Sequence, residues 1–242
     1  MDDTSKSLKP SKRSAKSSGD RNGYTRYPIP PETIPNIDDL VIEDNEPVES
    51  FFVEKQYRLL TDPLHASWKP EGHAFLAASN VGLFYSNKIP PLVPDVMLSL
   101  DVPVGRSLKQ KENNSYFTWI MGKPPDVVIE VVSDRSGGEE DFKFEEYAKI
   151  GVPYYVIFDP DEHLRGGALR AFHLVRGAYR SRKASWLPRV GLGLKLWEGT
   201  FEGMTRSWLR WCDREGSVVS TGEERAERLA AQLRALGIDP EA

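Results

Sequence analysis

The segment "PPDVVIEVVSDRS" (residues 124–136) predicts a buried β-strand that carries an acid within it. Most of the segment is β-branched: Val127, Val128, Ile129, Val131 and Val132. Such a run is typical of a strand that is covered on both faces. Glu130 lies inside it, and a buried carboxylate is costly unless another group pairs with it. The sequence therefore predicts that a group from elsewhere in the chain contacts Glu130.

Two apolar runs begin with Pro-Asp-Val, at Asp95 and at Asp126. Asp126 and Glu130 share one face of the strand, but about 13 Å of extended chain separates them. Both carboxylates could not ligate one small cation directly, since each must approach it to about 2 Å. Asp95 opens the run "PDVMLSLD" (94–101) and lies alongside Glu130 if the two strands pair. The sequence therefore predicts an acidic pair drawn from two strands.

A lysine on the helix that follows offers a positive partner for this pair. The segment "FKFEEYAKIG" (142–151) favours a helix, and 100° per residue places Lys143 between Tyr147 and Ile150 on its mainly apolar side. Phe142 does not fit that side. The remaining charged residues are predicted to point outward: Glu145, Glu146 and Lys149. We therefore expect Lys143 to face the core beside Glu130.

Two acids and a lysine in one place are suited to phosphodiester chemistry. Carboxylate oxygens bind Mg²⁺, which activates water and shields a phosphate. Lys143 could then position the attacking water or stabilise the charge of the transition state. Other polar residues are expected to have structural roles, since Asp126, Ser133 and Asp159 stand at strand ends and His65, His73, His163 and His173 have no metal-like spacing.

Three segments, "PDVMLSLD", "PDVVIEVVS" and "FKFEEYAKIGVPYYVIFDP", occur in an order that resembles the Uma-type family of the PD-(D/E)XK nuclease superfamily. The resemblance runs from about Phe51 to about Gly199, and the tail "RAERLAAQLRALGIDPE" is also similar to that family. It implies that Asp95 is the first acid, Glu130 the (D/E) residue and Lys143 a lysine displaced from the strand to the next helix. Val132 stands where the superfamily usually has its lysine.

The resemblance also implies a fold and an activity. The fold is α/β, a restriction-endonuclease-like mixed β-sheet flanked by helices with a C-terminal helix, which agrees with the alternation of predicted strands and helices. The implied activity is a DNA endonuclease in which Asp95 and Glu130 bind Mg²⁺, with Mn²⁺ as a substitute. The family's N-terminal Tyr-Glu-Leu strand is absent, because residues 51–75 predict a helix and a loop, so no catalytic role passes to Glu54.

Composition predicts three regions: a basic arm and acidic, proline-rich linker (1–47), a nuclease-like domain (48–212) and a C-terminal amphipathic helix with its tail (213–242). Four tryptophans in the second region are expected to pack on the sheet: Trp186, Trp197, Trp208 and Trp211. The last helix has a capping box, Thr221 and Glu224, and a stripe of Leu229, Leu233 and Leu236. That stripe packs on the body or on a second subunit, which leaves a homo-oligomer open.

The overall totals restrict the function further. The formal charge is −4, so binding to a nucleic acid requires positive charge collected on one face. A single cysteine, Cys212, excludes an internal disulfide framework and a cysteine-based zinc cluster and suits a reducing compartment. No run approaches the ~20 apolar residues of a membrane span. We expect a cytoplasmic protein that does not contact membranes.

A second hypothesis fits the same segments. A nuclease-fold binding or assembly module without catalysis would also fit three features: the net negative charge of the chain, Val132 in place of a strand lysine, and the leucine stripe of the last helix. The position of Lys143 relative to Asp95 and Glu130 separates the two hypotheses, because a lysine that points to solvent could not assist catalysis.

Overall fold

The structure is a computed structural model that describes residues 50–103, 110–132, 142–183 and 185–240. The predicted arm and linker (1–47) and Ser133 lie outside the described residues. Four α-helices are described: α1 (Phe51–Ser67), α2 (Thr118–Met121), α3 (Phe142–Ile150) and α4 (Gly222–Ala235). A short 3₁₀ turn covers Lys111–Asn113.

Eleven strands are described, and six of them form the main sheet. The strands are β1 (Phe75–Ser79), β2 (Leu83–Phe84), β3 (Val96–Leu100), β4 (Tyr116–Phe117), β5 (Val127–Val131), β6 (Tyr154–Phe158), β7 (Leu169–Val175), β8 (Ala178–Arg182), β9 (Trp186–Leu187), β10 (Leu192–Phe201) and β11 (Met204–Cys212). The main sheet has the order β1-β3-β5-β6-β7-β8, in which only β5 and β6 are parallel neighbours. This mixed sheet with flanking helices and a C-terminal helix confirms the predicted fold class.

The central strands of the main sheet, β3, β5 and β6, are buried on both faces, as the β-branched run predicts for β5. Val127, Ile129 and Val131 of β5 belong to a core shared with α1 and with a second sheet of β9, β10 and β11. Val128 and Val132 belong to a core on the opposite face, which α3 covers. Since side chains alternate along a strand, Glu130 points to the α3 side.

Helix α1 holds the second sheet against the main sheet. Its buried Gln56 donates to the Leu209 carbonyl oxygen at 2.9 Å and accepts from the Leu209 N–H at 3.0 Å. The Trp211 indole N–H donates to the Leu60 carbonyl oxygen at 2.7 Å. Trp208 and Trp211 are fully buried in this layer. The predicted packing role therefore holds for these two tryptophans, although they pack in a separate sheet that the sequence does not predict.

Helix α4 begins with the predicted capping box. The Glu224 N–H donates to the Thr221 hydroxyl at 3.1 Å, and the Thr221 N–H donates to the Glu224 carboxylate at 2.8 Å. Glu224 also accepts from the buried guanidinium of Arg210, and Arg225 donates to the carbonyl oxygen at the end of α1. The first half of α4 thus packs on the body. Oligomerisation through the exposed leucines of its outer face stays a prediction.

Within the described ranges, every helix falls short of the combined length and apolar character that a membrane crossing demands.

Candidate active site

The two predicted acids lie on neighbouring strands at one end of the main sheet. β3 and β5 pair with Val96 opposite Ile129, and the next step of that register places Asp95 opposite Glu130. The Asp95 carboxylate accepts the backbone N–H of Val131 at 2.7 Å. This hydrogen bond fixes Asp95 beside the residue that follows Glu130. Asp95, which immediately precedes β3, therefore lies beside the C-terminal end of β5.

Glu130 is fully buried and has two partners on α3. Its Oε2 accepts from the Lys143 ammonium at 2.8 Å, and its Oε1 accepts from the Tyr147 hydroxyl at 2.7 Å. The Lys143 side chain keeps 22% of its surface exposed, so the ammonium group lies at the border between the buried acid and solvent. The structure thus brings Asp95, Glu130 and Lys143 together, and their chemical roles stay predictions.

Tyr147 also belongs to the site, although the sequence predicts no chemical role for it. Its ring is fully buried and packs on Tyr155 of β6, with ring centroids 5.3 Å apart. Tyr147 follows Lys143 by four residues, so both side chains leave the same face of α3 and reach the two oxygens of one carboxylate. That i, i+4 spacing was the available signal. The exposed positions of Phe142, Glu145 and Lys149 agree with the predicted helix face, whereas Glu146 is partly buried and accepts from the Tyr85 hydroxyl at 2.9 Å.

The environment of Glu130 favours the protonated form of its carboxyl group. Burial, and to a smaller extent the nearby carboxylate of Asp95, raise the pKa of Glu130 to about 8, although the charge of Lys143 and the hydrogen bonds from Lys143 and Tyr147 act in the opposite direction. Burial and the neighbouring Glu130 also raise the pKa of the Tyr147 hydroxyl well above its usual value. The hydroxyl therefore acts as a hydrogen-bond donor over the physiological pH range.

The raised pKa predicts how the stability of the metal-free protein depends on pH. The pKa of Glu130 rises from about 4.5 to about 8 on folding, so between these values the unfolded chain releases a proton that the folded chain keeps. We expect the free energy of unfolding in EDTA to fall from pH 4.5 to 8 by up to about 1.4 kcal/mol per pH unit relative to Glu130→Gln. Urea unfolding at a series of pH values measures this difference.

A matched variant keeps that measurement specific. Glu145→Gln removes an exposed carboxylate from α3 and should leave the pH dependence of the wild type unchanged. If the free energy of unfolding depends on pH in the same way for the wild type and Glu130→Gln, folding does not raise the pKa of Glu130, and the prediction is wrong.

The donor set fits a hard divalent cation. Asp95 and Glu130 lie opposite each other on adjacent strands, and a bound cation would favour the charged form of both carboxylates. No group of three or more His, Cys, Asp or Glu side chains with metal-binding geometry occurs among the residues that the structure describes. Two acids suffice for Mg²⁺, which keeps several waters and commonly binds one or two carboxylates together with substrate phosphates. Each carboxylate oxygen has two lone pairs, so Glu130 can accept hydrogen bonds and still ligate a cation.

The other strand-end acids have structural partners, as expected. The buried Asp126 carboxylate accepts the Leu100 N–H at 2.8 Å and pairs with Lys123. Asp159 accepts the N–H groups of two residues in the turn that follows it, at 2.9 and 2.7 Å. Glu54 pairs with Arg58 on the surface of α1. These contacts account for the three carboxylates without a catalytic role.

Position 132 is where the superfamily resemblance would place a lysine on the strand, and this chain has Val132 there. Val132 is buried in the α3-side core, among residues that include Val128 and Tyr155. Its side chain leaves the chain on the same face as Glu130 but carries no amine, and Lys143 contacts Glu130 from α3 instead. The displacement of the lysine that the resemblance implies stays a prediction.

Comparison with known proteins identifies a family to which this sequence is similar. A family model described as "Uma2: Putative restriction endonuclease" matches residues 30–200, which is more than half of the chain. A search of curated proteins finds no match. The matched range contains Asp95, Glu130, Lys143 and Tyr147.

Proposed function

The chain belongs to the Uma2 family of putative restriction endonucleases, and from that membership we propose that it is a Mg²⁺-dependent endonuclease that hydrolyses phosphodiester bonds in DNA. The observation that carries the proposal is the contact of Lys143 with the buried Glu130, 2.8 Å apart and next to Asp95. An acid pair that can hold a metal ion, with an amine beside it, suits phosphodiester hydrolysis, because the metal would activate water and the amine would stabilise developing negative charge.

Each residue has a distinct part in this proposal. Asp95 and Glu130 would hold Mg²⁺, which when bound supplies Lewis-acid chemistry to a water and to the scissile phosphate. The Val131 N–H and the Tyr147 hydroxyl orient the two carboxylates through single hydrogen bonds. The Lys143 ammonium stabilises the negative charge that develops on the phosphate oxygens as the water oxygen bonds to phosphorus. The attacking water gives up one proton to solvent, the bond from phosphorus to the leaving sugar oxygen breaks, and that oxygen takes up one proton from solvent.

Cleavage of supercoiled plasmid tests the function. We expect the purified protein to relax or linearise plasmid DNA with Mg²⁺ or Mn²⁺ and to leave it intact with EDTA, because the proposal assigns the activation of water and the shielding of the phosphate to the metal ion. Asp95→Asn should also leave the plasmid intact. Asp101→Asn is the matched control, since Asp101 is an exposed acid beyond the other end of β3 that pairs with His73.

Two outcomes would contradict the proposal. Cleavage that persists unchanged in Asp95→Asn would exclude this site as its source. Binding of plasmid without metal-dependent cleavage would favour the alternative, a nuclease-fold binding or assembly module.

A further inference from the structure

Positive charge is concentrated in one segment of the chain. From His163 to Trp197 the sequence holds eight lysines and arginines and neither aspartate nor glutamate. Because this segment carries +8, the rest of the chain carries −12 and the whole chain −4. The segment includes β7, β8, β9 and the first part of β10. A chain that is acidic overall thus has the local charge that contact with a phosphate backbone requires.

The strand registers align part of this segment with Glu130 across the main sheet. Glu130 lies opposite Ile157 of β6, and Ile157 lies opposite Arg170 of β7. The register of β7 with β8, continued by one residue, places Lys183 beside Arg170. At a strand spacing of about 4.8 Å, three steps separate the backbones of Glu130 and Lys183 by about 14 Å.

These side chains also lie on the same face of the sheet as Glu130. Phe172 of β7 and Tyr179 of β8 belong to the core under α3. Arg170 is two residues from Phe172 and Lys183 is four residues from Tyr179, so alternation directs both toward the α3 side. The acids and these basic residues therefore lie along one edge of a common surface.

Arg165, Arg170 and Lys183 form a group that we call the basic corner. Arg165 and Lys183 are exposed, whereas the side chain of Arg170 is mostly buried. The Arg170 guanidinium donates to the carbonyl oxygen of Arg165 at 2.9 Å, which ties the turn before β7 to the strand. The corner thus presents two solvated cations on a backbone that a buried arginine holds in place.

The acidic residues of the turn before β7 do not cancel the positive charge of the basic corner. The buried Asp159 lies 3.9 Å from the Arg170 guanidinium, and Asp161 pairs with Arg206 at 2.6 Å. Glu162 is exposed in the same turn and opposes only part of the charge of Arg165 and Lys183. The corner therefore keeps a positive surface toward a ligand that approaches the acids.

We infer that Arg165 and Lys183 bind the phosphate backbone of the DNA strand on one side of the bond that is cut. This inference rests on the proposed function and names the surface that would hold its substrate. A distance of about 14 Å corresponds to about four nucleotide steps at 3.4 Å each. The corner anchors and orients the duplex, while the chemistry takes place at Asp95, Glu130 and Lys143.

Equilibrium binding of a 20-base-pair DNA duplex in EDTA tests the inference without cleavage. The double variant Arg165→Ala/Lys183→Ala should weaken binding at least about tenfold at 0.1 M salt, because two phosphate contacts and their released counterions are lost. The slope of log K against log salt should become shallower by about 1.8. Fluorescence anisotropy over a salt series measures both quantities.

The matched control removes the same charge from the same segment. Arg176→Asn/Lys195→Ala changes the exposed turn at the opposite end of the β7–β8 hairpin and an exposed lysine of β10. Asparagine is chosen because Arg176 has a φ of 50°, which asparagine tolerates. We expect less than a twofold change in affinity for this control.

The outcomes separate this inference from the proposed function. Equal weakening in both double variants would mean that only total charge matters and would overturn the role of the corner. Unchanged binding in Arg165→Ala/Lys183→Ala would overturn it as well, even if the wild type cuts plasmid. Loss of binding in that variant would support the corner even if the wild type proved unable to cut.

Discussion

Replacement of Glu130 by glutamine is expected to lower the rate of DNA cleavage at least about 1,000-fold. Glutamine preserves the shape of the side chain and can accept a hydrogen bond from Lys143 or Tyr147, but it removes the negative charge that would hold the cation. Loss of metal-derived stabilisation of the transition state amounts to several kcal/mol, and about 4 kcal/mol corresponds to a factor of about 10³. Initial rates of plasmid nicking in Mg²⁺ measure the change.

Glu146→Gln is the matched control for this experiment. Glu146 lies one residue before Tyr147 on α3, is partly buried and binds Tyr85 and Lys149 rather than Glu130. Its loss should change the rate less than about threefold, because its contacts with Tyr85 and Lys149 lie outside the proposed catalytic group. Unfolding measurements give a second check, because Glu130→Gln should be at least as stable as the wild type at pH 8. A Glu130→Gln protein that is folded and still cuts at the wild-type rate would reject the site.

Replacement of Lys143 by methionine is expected to lower the cleavage rate about 100- to 1,000-fold. Methionine keeps a long, flexible side chain but provides no ammonium group for Glu130 or for the phosphate. Removal of a single charge-stabilising group from an active site typically costs a factor of this size. The affinity for Mg²⁺ should be retained, because the two carboxylates are unchanged, and titration calorimetry can measure it separately from the rate.

Lys149→Met provides the comparison on the same helix. Lys149 is an exposed residue of α3 that binds Glu145 and Glu146, so its loss should leave cleavage nearly unchanged. Equal rates for Lys143→Met and Lys149→Met would show that the contact with Glu130 is structural. A Lys143→Met protein that no longer binds Mg²⁺ would assign Lys143 to the integrity of the site rather than to the chemical step.

The acid pair could be predicted from sequence because strand periodicity carries most of the information. A β-branched run identifies β5, alternation gives the face of Glu130, and a second Pro-Asp-Val identifies β3. Helical periodicity likewise places Lys143 toward the core. All of these patterns are local in the sequence. Only the placement of Asp95 beside Glu130 needs a further assumption, namely that the two strands pair.

The remaining parts of the structure depend on distant contacts that no local pattern specifies. Gln56 binds the backbone of Leu209, which is 153 residues away in the sequence. The local sequence around Gln56 therefore does not predict that its amide is buried or which residue it contacts. β10 and β11 form a separate sheet, which alternation within each strand does not reveal. The position of the basic corner depends on the registers of three strand pairs at once. The absence of acids from His163 to Trp197 is visible in the sequence.

The position of a bound cation tests the central claim most directly. Crystals of the protein soaked in Mn²⁺ would locate the ion by its anomalous scattering. The account predicts a peak between the carboxylates of Asp95 and Glu130, with oxygen atoms of both residues at about 2.1–2.2 Å. A peak only at another position, or none while Glu130 keeps both hydrogen bonds to Lys143 and Tyr147, would contradict it.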